Sequence, residues 1–197
     1  TLGVFIFAMA ILAVLSSYAI RYNHQLFLAY DRLLGRSDGE SEPPQVDLRQ
    51  RHPIILLGYF RAARSFIETV AEEKPELLKQ VLVIDFNPLS IEELRTRGVA
   101  AIFGDIGSLD TLHHAHLEEA RIIASTIPDM LLNGTSNAAL VLKAKTIAPQ
   151  ALVIATADDP LHERQLRREG ADEVLRPHDL MGRAIADYVQ LAFAAAP

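Results

Sequence analysis

The chain has 197 residues, half of them apolar, which is room for one domain of ordinary size with an ample core, plus an appendage. Twenty-five acidic against nineteen basic residues give a formal net charge of −6, and without a long basic block this argues against a nucleic-acid partner. There is no cysteine, so disulfides, thiolate metal sites and cysteine nucleophiles are excluded.

Residues 1–20 carry no charged side chain and are mostly Leu, Ile, Val, Ala and Phe. At ~1.5 Å rise per residue such a run is roughly 30 Å long, the thickness of a hydrocarbon core. The reading is a transmembrane helix over 1–22, and because the chain opens on Thr1 rather than Met, it is expected to be a fragment of something longer. Gly3, Ser16 and Ser17 suit close helix–helix contact, and Tyr18 and Tyr22 sit where an aromatic belt lies. Arg21, Arg32 and Arg36 come next. Basic flanks mark the cytoplasmic side, so residues after Arg21 are expected in the cytoplasm. Two alternatives are a signal peptide, whose basic start is missing, and a buried core helix, for which the run is long. Residues 23–34, with Leu26, Phe27, Leu28, Tyr30, Leu33 and Leu34, predict an amphipathic juxtamembrane helix. Residues 35–52 are polar, with a Pro pair and two glycines, and read as a linker into a domain over 53–197.

From Pro53 onward, apolar runs of strand length alternate with amphipathic segments. Strands are expected at 54–58, 81–85, 100–103, 122–125, 152–155 and 173–175. Runs with so little internal polarity suit strands covered on both faces. Between them lie helix signals: Ser90 with Glu93 as a capping box and Gly98 as a stop, then Asp159-Pro160 as a cap and Gly170 as a stop. Asn133-Gly134 interrupts the segment after the fourth strand, so that helix is expected to start near Thr135 and end before Pro149. The pattern is an α/β fold: a Rossmann-like, doubly wound parallel sheet of about six strands, with a ligand crevice at the carboxyl ends.

The candidate site sits on those ends. Gly58 follows the first strand where the chain must turn sharply, and Tyr59, Phe60, Arg61, Ala62 and Ala63 lead into a helix whose N-terminus could hold a phosphate. Ala63 fits the third position of the glycine fingerprint. Phe60 stands at the second, where a benzyl group crowds a pyrophosphate; Arg61 can offset part of this by pairing with a phosphate oxygen. Asp85 ends the second strand, the place of an acid that takes ribose hydroxyls; its other reading is a carboxylate capping the next helix. Gly104, Asp105 and Ile106 follow the third strand, either offering a carboxylate to an adenine amino group or forming a plain turn. Thr126, Ile127, Pro128 and Asp129 lie on the same rim. His113, His114 and His116 are read as a solvated face rather than metal ligands. Arg164, Arg167 and Arg168 with Glu163 and Glu169 read as an exposed, paired face.

The ordered set Gly58-Tyr59-Phe60-Arg61, Val83-Ile84-Asp85, Gly104-Asp105, Ser125-Thr126-Ile127-Pro128-Asp129 and Ala171-Asp172-Glu173-Val174-Leu175 resembles the TrkA-N domain, also called RCK or KTN. With an uncharged span and Arg21-Tyr22-Asn23-His24 ahead of it, the chain is similar to the C-terminal part of a Kef-type monovalent cation:proton antiporter. The resemblance implies a cytoplasmic nucleotide-sensing domain, carrying no chemistry, at the inner membrane. An adenine nucleotide (NAD(H), AMP or ATP) would be the ligand, at Gly58, Phe60, Arg61, Ala62, Asp85, Gly104, Asp105, Ile106, Thr126 and Ile127. Upstream transporter helices would be its partners, and the helix over 179–193, with an apolar stripe of Leu180, Ala184, Ile185, Tyr188, Val189 and Ala192, would form a homodimer. The Phe60 departure leaves a mononucleotide, or no ligand, less hindered than a dinucleotide. The same module on a potassium channel and a membrane-anchored NAD-dependent oxidoreductase stand as rivals. Against the oxidoreductase, the chain has no Tyr-x-x-x-Lys and ends before any substrate domain.

Overall fold

The computed structural model describes residues 51–194 and, ahead of them, helical positions 3–5, 9, 11, 12 and 16. Two compact units are present, Thr1–Gln45 and Val46–Pro197. Apart from those helical positions, the expected span over 1–22, the juxtamembrane helix over 23–34 and the linker up to residue 50 lie outside the described residues. Among the described residues no helix is long and apolar enough to cross a membrane.

The second unit carries six strands: β1 (Ile54–Leu57), β2 (Val81–Asp85), β3 (Ala100–Phe103), β4 (Ile122–Ser125), β5 (Leu152–Thr156) and β6 (Glu173–Leu175). They form one sheet in the order β3-β2-β1-β4-β5-β6, every neighbouring pair parallel. This is the doubly wound order, with its reversal between β1 and β4. The helices are α1 (Arg61–Glu73), α2 (Pro88–Thr96), α3 (Leu109–His114), α4 (Asn137–Ile147), α5 (Pro160–Arg168) and α6 (Pro177–Ala194).

Side-chain alternation along the strands explains why their sequences read as continuous apolar runs. Ile54, Leu56, Val81 and Val83 face one layer, packed with Ala63 and Ile67 of α1 and Ile91 and Leu94 of α2. Ile55, Leu57, Leu82 and Ile84 face the other, packed with Leu112 of α3, Leu140, Val141 and Ala144 of α4 and Leu166 of α5. Both faces of the central strands are dry, so neither set of alternate residues can be polar. Each such side chain adds about 1.5–3 kcal/mol of burial. Helix α6 differs: none of its residues is buried, and Leu180, Ile185, Tyr188, Val189 and Phe193 are all exposed.

Several helix ends follow local rules. Asp159 caps α5, accepting from the N–H groups of Leu161 and His162, and Pro160 occupies its first turn. Ser136 caps α4, one residue past the expected start. The expected capping box at Ser90 and Glu93 does not form. Helix α2 starts earlier because Asn87 accepts from the Leu89 N–H and Pro88 fixes the first helical residue, which leaves Ser90 buried inside the helix. Glu93 instead takes the Tyr59 hydroxyl, Arg64 and Arg97. Helix α3 stops at His114, and His116 lies beyond it with φ 53°, so His113 and His116 do not share a helical face. Both lie within 4 Å of Glu118.

Candidate functional site

Strand β1 ends at Leu57, and Gly58 turns the chain with φ +89°, a conformation other residues rarely adopt. Its N–H still reaches across to the Ile84 carbonyl at 2.8 Å, so the turn begins flush with the end of β2. There Asp85, buried to 5% exposure, takes two backbone donors: Oδ2 accepts from the Tyr59 N–H at 2.6 Å and Oδ1 from the Asn87 N–H at 2.7 Å. The acid thus joins the β1–α1 turn to the entry of α2. The alternative of a helix-capping carboxylate is partly realised, through Asn87 rather than near Ser90. Each carboxylate oxygen keeps a second lone pair for a further donor.

Below the turn, Tyr59 is buried and its hydroxyl donates to Glu93 Oε1 at 3.2 Å. Burial, and then the neighbouring Glu93 charge, push the phenol above its ordinary range, so it stays protonated. Phe60 takes the N-cap position of α1 in an extended conformation, without a side-chain cap, and the first turn carries no acid. Its ring packs partly into the core, and the Arg61 guanidinium lies 5.4 Å from its centroid.

The far wall is the loop between β4 and α4, held by a polar network around Asn137, which is fully buried. Ser125 Oγ donates to Asn137 Oδ1 at 2.6 Å. Asn137 Nδ2 donates to the Ile127 carbonyl and to Asp129 Oδ1, both at 2.7 Å, and the Asn137 N–H donates to the same Asp129 oxygen. Asp129 Oδ2 in turn lies 3.5 Å from His162 Nε2 in the first turn of α5. So fixed, the Ile127 side chain lies against Gly58: a Cβ at position 58 would overlap Ile127 Cδ1 and sit 2.6 Å from its Cγ1.

Between these walls is a cleft of about 460 Å³, within the ~300–1,000 Å³ typical of small-molecule sites. Of the residues expected from sequence, Phe60, Asp85, Asp105, Ile106 and Ile127 line it. Gly58, Arg61, Ala62, Gly104 and Thr126 do not. Gly58 lies beneath Ile127, and Arg61 and Ala62 are exposed on α1. Gly104 underlies Thr111, where a Cβ would sit 2.5 Å from Thr111 Cγ2, and the Thr126 hydroxyl is buried without a hydrogen-bond partner. Asp105 Oδ1 accepts the Gly107 N–H at 2.7 Å, so this acid also shapes its own turn. Leu131, Leu132, Asn133 and Thr135 also line the cleft; the sequence reading did not single them out as ligand contacts. Their signal was Ser125, Asp129 and Asn137, polar residues around the apolar Met130-Leu131-Leu132 run, which mark a loop that must be held in place.

The TrkA-N domain matches residues 54–177, well over half of the chain. The chain belongs to the TrkA-N domain family. KefB of Alkalimonas amylolytica, named as a K(+) efflux antiporter, is 26% identical over 184 residues, covering 90% of this chain and 26% of that protein. The TrkA-N domain of inner membrane protein YbaL from Escherichia coli superposes with a TM-score of 0.62 at 25% identity, over 71% of this chain and 97% of that domain. A second solved structure, the GsuK channel bound to NAD, shares the fold with a TM-score of 0.59 at 21% identity, over 84% of this chain and 28% of that one. This TrkA-N chain therefore spans about a quarter of the length of its KefB relative.

Proposed function

We propose that this TrkA-N chain is the nucleotide-sensing regulatory part of a monovalent cation (potassium or sodium)/proton antiporter of the inner membrane. The observation that carries the reading is Asp85 at the end of β2, lining a cleft at the point where strand order reverses, the position at which doubly wound sheets take nucleotides. An adenine nucleotide would set its ribose against Asp85 and its base toward Asp105 and Ile106, with Phe60 and Ile127 as the opposing wall. The sequence likeness to KefB, over 90% of the chain, takes in part of the segment ahead of residue 54, which suits an antiporter; the fold likeness to the GsuK channel, over 84%, reaches that segment too. Of residues 1–22, the helical Val4, Phe5, Met9, Ile11 and Leu12 are exposed and apolar, which suits a membrane span. Residues after Arg21 are then cytoplasmic.

The module carries out no chemistry. It works as a dimer through α6, whose exposed apolar side chains need a partner surface. Ligand shifts the dimer between two arrangements, and it can do so only by binding one more tightly than the other. Titration calorimetry of the purified chain with AMP and with NADH tests the site. Saturable binding of either supports the reading, and no heat with both ends it.

A further inference from the structure

We infer that Asp129 and His162 form a proton-sensitive latch on the loop between β4 and α4: a proton gained by His162 draws that loop toward α5 and firms the far wall of the cleft. The imidazole sits in the first turn of α5 with its side chain only 13% exposed. Its Nε2 is buried without a hydrogen bond, 3.5 Å from Asp129 Oδ2. Its other nitrogen, Nδ1, accepts the Asp158 N–H at 3.4 Å. A neutral ring that accepts at Nδ1 carries its one proton on Nε2. Histidine is the side chain whose charge ordinarily changes between about pH 5 and 8. A second proton must go to Nδ1, where it meets the Asp158 N–H donor to donor, so the hold on the turn before α5 is lost. In exchange the ring becomes a cation facing a carboxylate, and a charge-assisted bond is shorter and stronger than the present contact.

Asp129 is free to answer. Its Oδ1 takes the backbone N–H and Nδ2 of Asn137, while Oδ2 accepts no hydrogen bond among the described residues. Through Asn137 the acid is tied to the Ile127 carbonyl and to Ser125 at the end of β4, and Leu131, Leu132, Asn133 and Thr135 beyond it line the cleft. A pull on Oδ2 therefore acts on a wall already fixed at its base. The other charges around the pair do not compete for Asp129. Asp158 and Asp159 lie on the turn of His162 itself, Asp159 accepting the His162 N–H at 2.9 Å. Helix α5 packs against α4 and β6. On α4, Lys143 is bonded to the Gly107 carbonyl, and Lys145 to the Ala151 carbonyl and Asp172. On β6, Glu173 is exposed, and Arg176 just past it pairs with Glu163 and Asp179. On α5, Arg167 also pairs with Glu163, and Arg164 and Arg168 are exposed. Among the described residues none of these cations pairs with Asp129, which leaves His162 as its partner. The latch needs no ligand, so it stands apart from the nucleotide reading.

The test is amide hydrogen exchange on the whole chain at about pH 5.5 and about pH 8, each rate compared with that of a free amide at the same pH. It is read at Leu131, Leu132 and Asn137, whose N–H groups are bonded to the Pro128 carbonyl, the Asp129 carbonyl and Asp129 Oδ1. With the strand amides of β1 and β2 as reference, protection of these three is expected to be roughly 2–5-fold higher at the acid pH. His162→Gln and His162→Asn, which cannot gain the proton, are expected to protect the loop equally at both. Equal protection at both pH values in the unmodified chain overturns the latch, and so does a response that either folded variant keeps in full. A change shared evenly by the loop and the strands overturns it as well, since the whole domain then responds; that comparison needs only the unmodified chain, should both variants fail to fold. None of these outcomes bears on the nucleotide site.

Discussion

Asp85 Oδ2 accepts the Tyr59 backbone N–H at 2.6 Å, so the acid that ends β2 is bonded directly to the turn that ends β1. One side chain thereby shapes the cleft and offers it a charge. Asp85→Ala should weaken adenosine-nucleotide binding by at least ~10-fold, since the ribose loses a charged acceptor. It should also lower unfolding stability by about 1–3 kcal/mol, because the buried Tyr59 N–H loses its partner. Calorimetry gives the first quantity and urea unfolding the second. Unchanged affinity in a folded variant would remove Asp85 from the site.

Gly58→Ala combines two penalties. The residue has φ +89°, and the new methyl would collide with Ile127. A loss of about 2–4 kcal/mol in urea unfolding is expected. The double variant Gly58→Ala/Ile127→Ala should be less destabilised than the sum of its single variants, because the collision is gone while the backbone cost stays. Strict additivity would show that only the backbone matters.

Asn137→Leu keeps the volume of a fully buried side chain but strips the partners from Ser125 Oγ and the Ile127 carbonyl and leaves Asp129 Oδ1 with the backbone N–H of residue 137 alone. The expected cost is about 3 kcal/mol. Hydrogen exchange should rise first in the loop between β4 and α4, ahead of the sheet. A loop as protected as before would mean that other contacts hold it.

Asp172 joins β6 to its neighbours: Oδ2 accepts from the Val153 N–H at 2.7 Å and lies 2.7 Å from Lys145 Nζ. Burial alone would raise its pKa, but the Lys145 hydrogen bond, the Val153 N–H and the Lys145 charge together outweigh that, and the carboxyl titrates below its ordinary value. A lowered folded-state pKa stabilises the fold above the unfolded value of ~3.9 and loses that contribution as pH falls through the folded value. Partly exposed and screened by solvent, the pair is worth little, so Asp172→Asn should cost at most about 1 kcal/mol at pH 7, and the gap from the unmodified chain should narrow as pH falls below ~4. Urea midpoints at pH 7 and pH 3 check this; a gap as wide at pH 3 as at pH 7 would refute the ionic origin.

Tyr188 and Val189 lie exposed on α6, which buries nothing of its own. On the dimer proposed above, changing both to Asp should give a monomer in sedimentation while leaving the unfolding transition of the sheet domain within about 0.5 kcal/mol. A dimer that survives would place the interface elsewhere.

Much of the sheet was readable along the chain because its causes are local. A strand covered on both faces must be apolar at every position, so β1, β2 and β4 stand out as unbroken runs, and Asp159-Pro160 marks the start of α5 without outside help. The Ser90 capping box was misread even so. Asn87 and Pro88 compete for the same helix start a few residues earlier, and Glu93 is drawn away by Tyr59, Arg64 and Arg97 from other parts of the fold.

By itself, the amino-acid order determined the six-strand pattern and the acid at the end of β2, because each depends on periodicity and punctuation within a short window, and its ordered motifs carried the resemblance to the TrkA-N family. Only the tertiary structure decided what Gly58 is for. Its missing side chain makes room for Ile127, which comes from a different loop and is held there by Asn137 on a different helix. Such contacts depend on how separate segments meet across the sheet, and a chain read in one dimension carries no record of that distance.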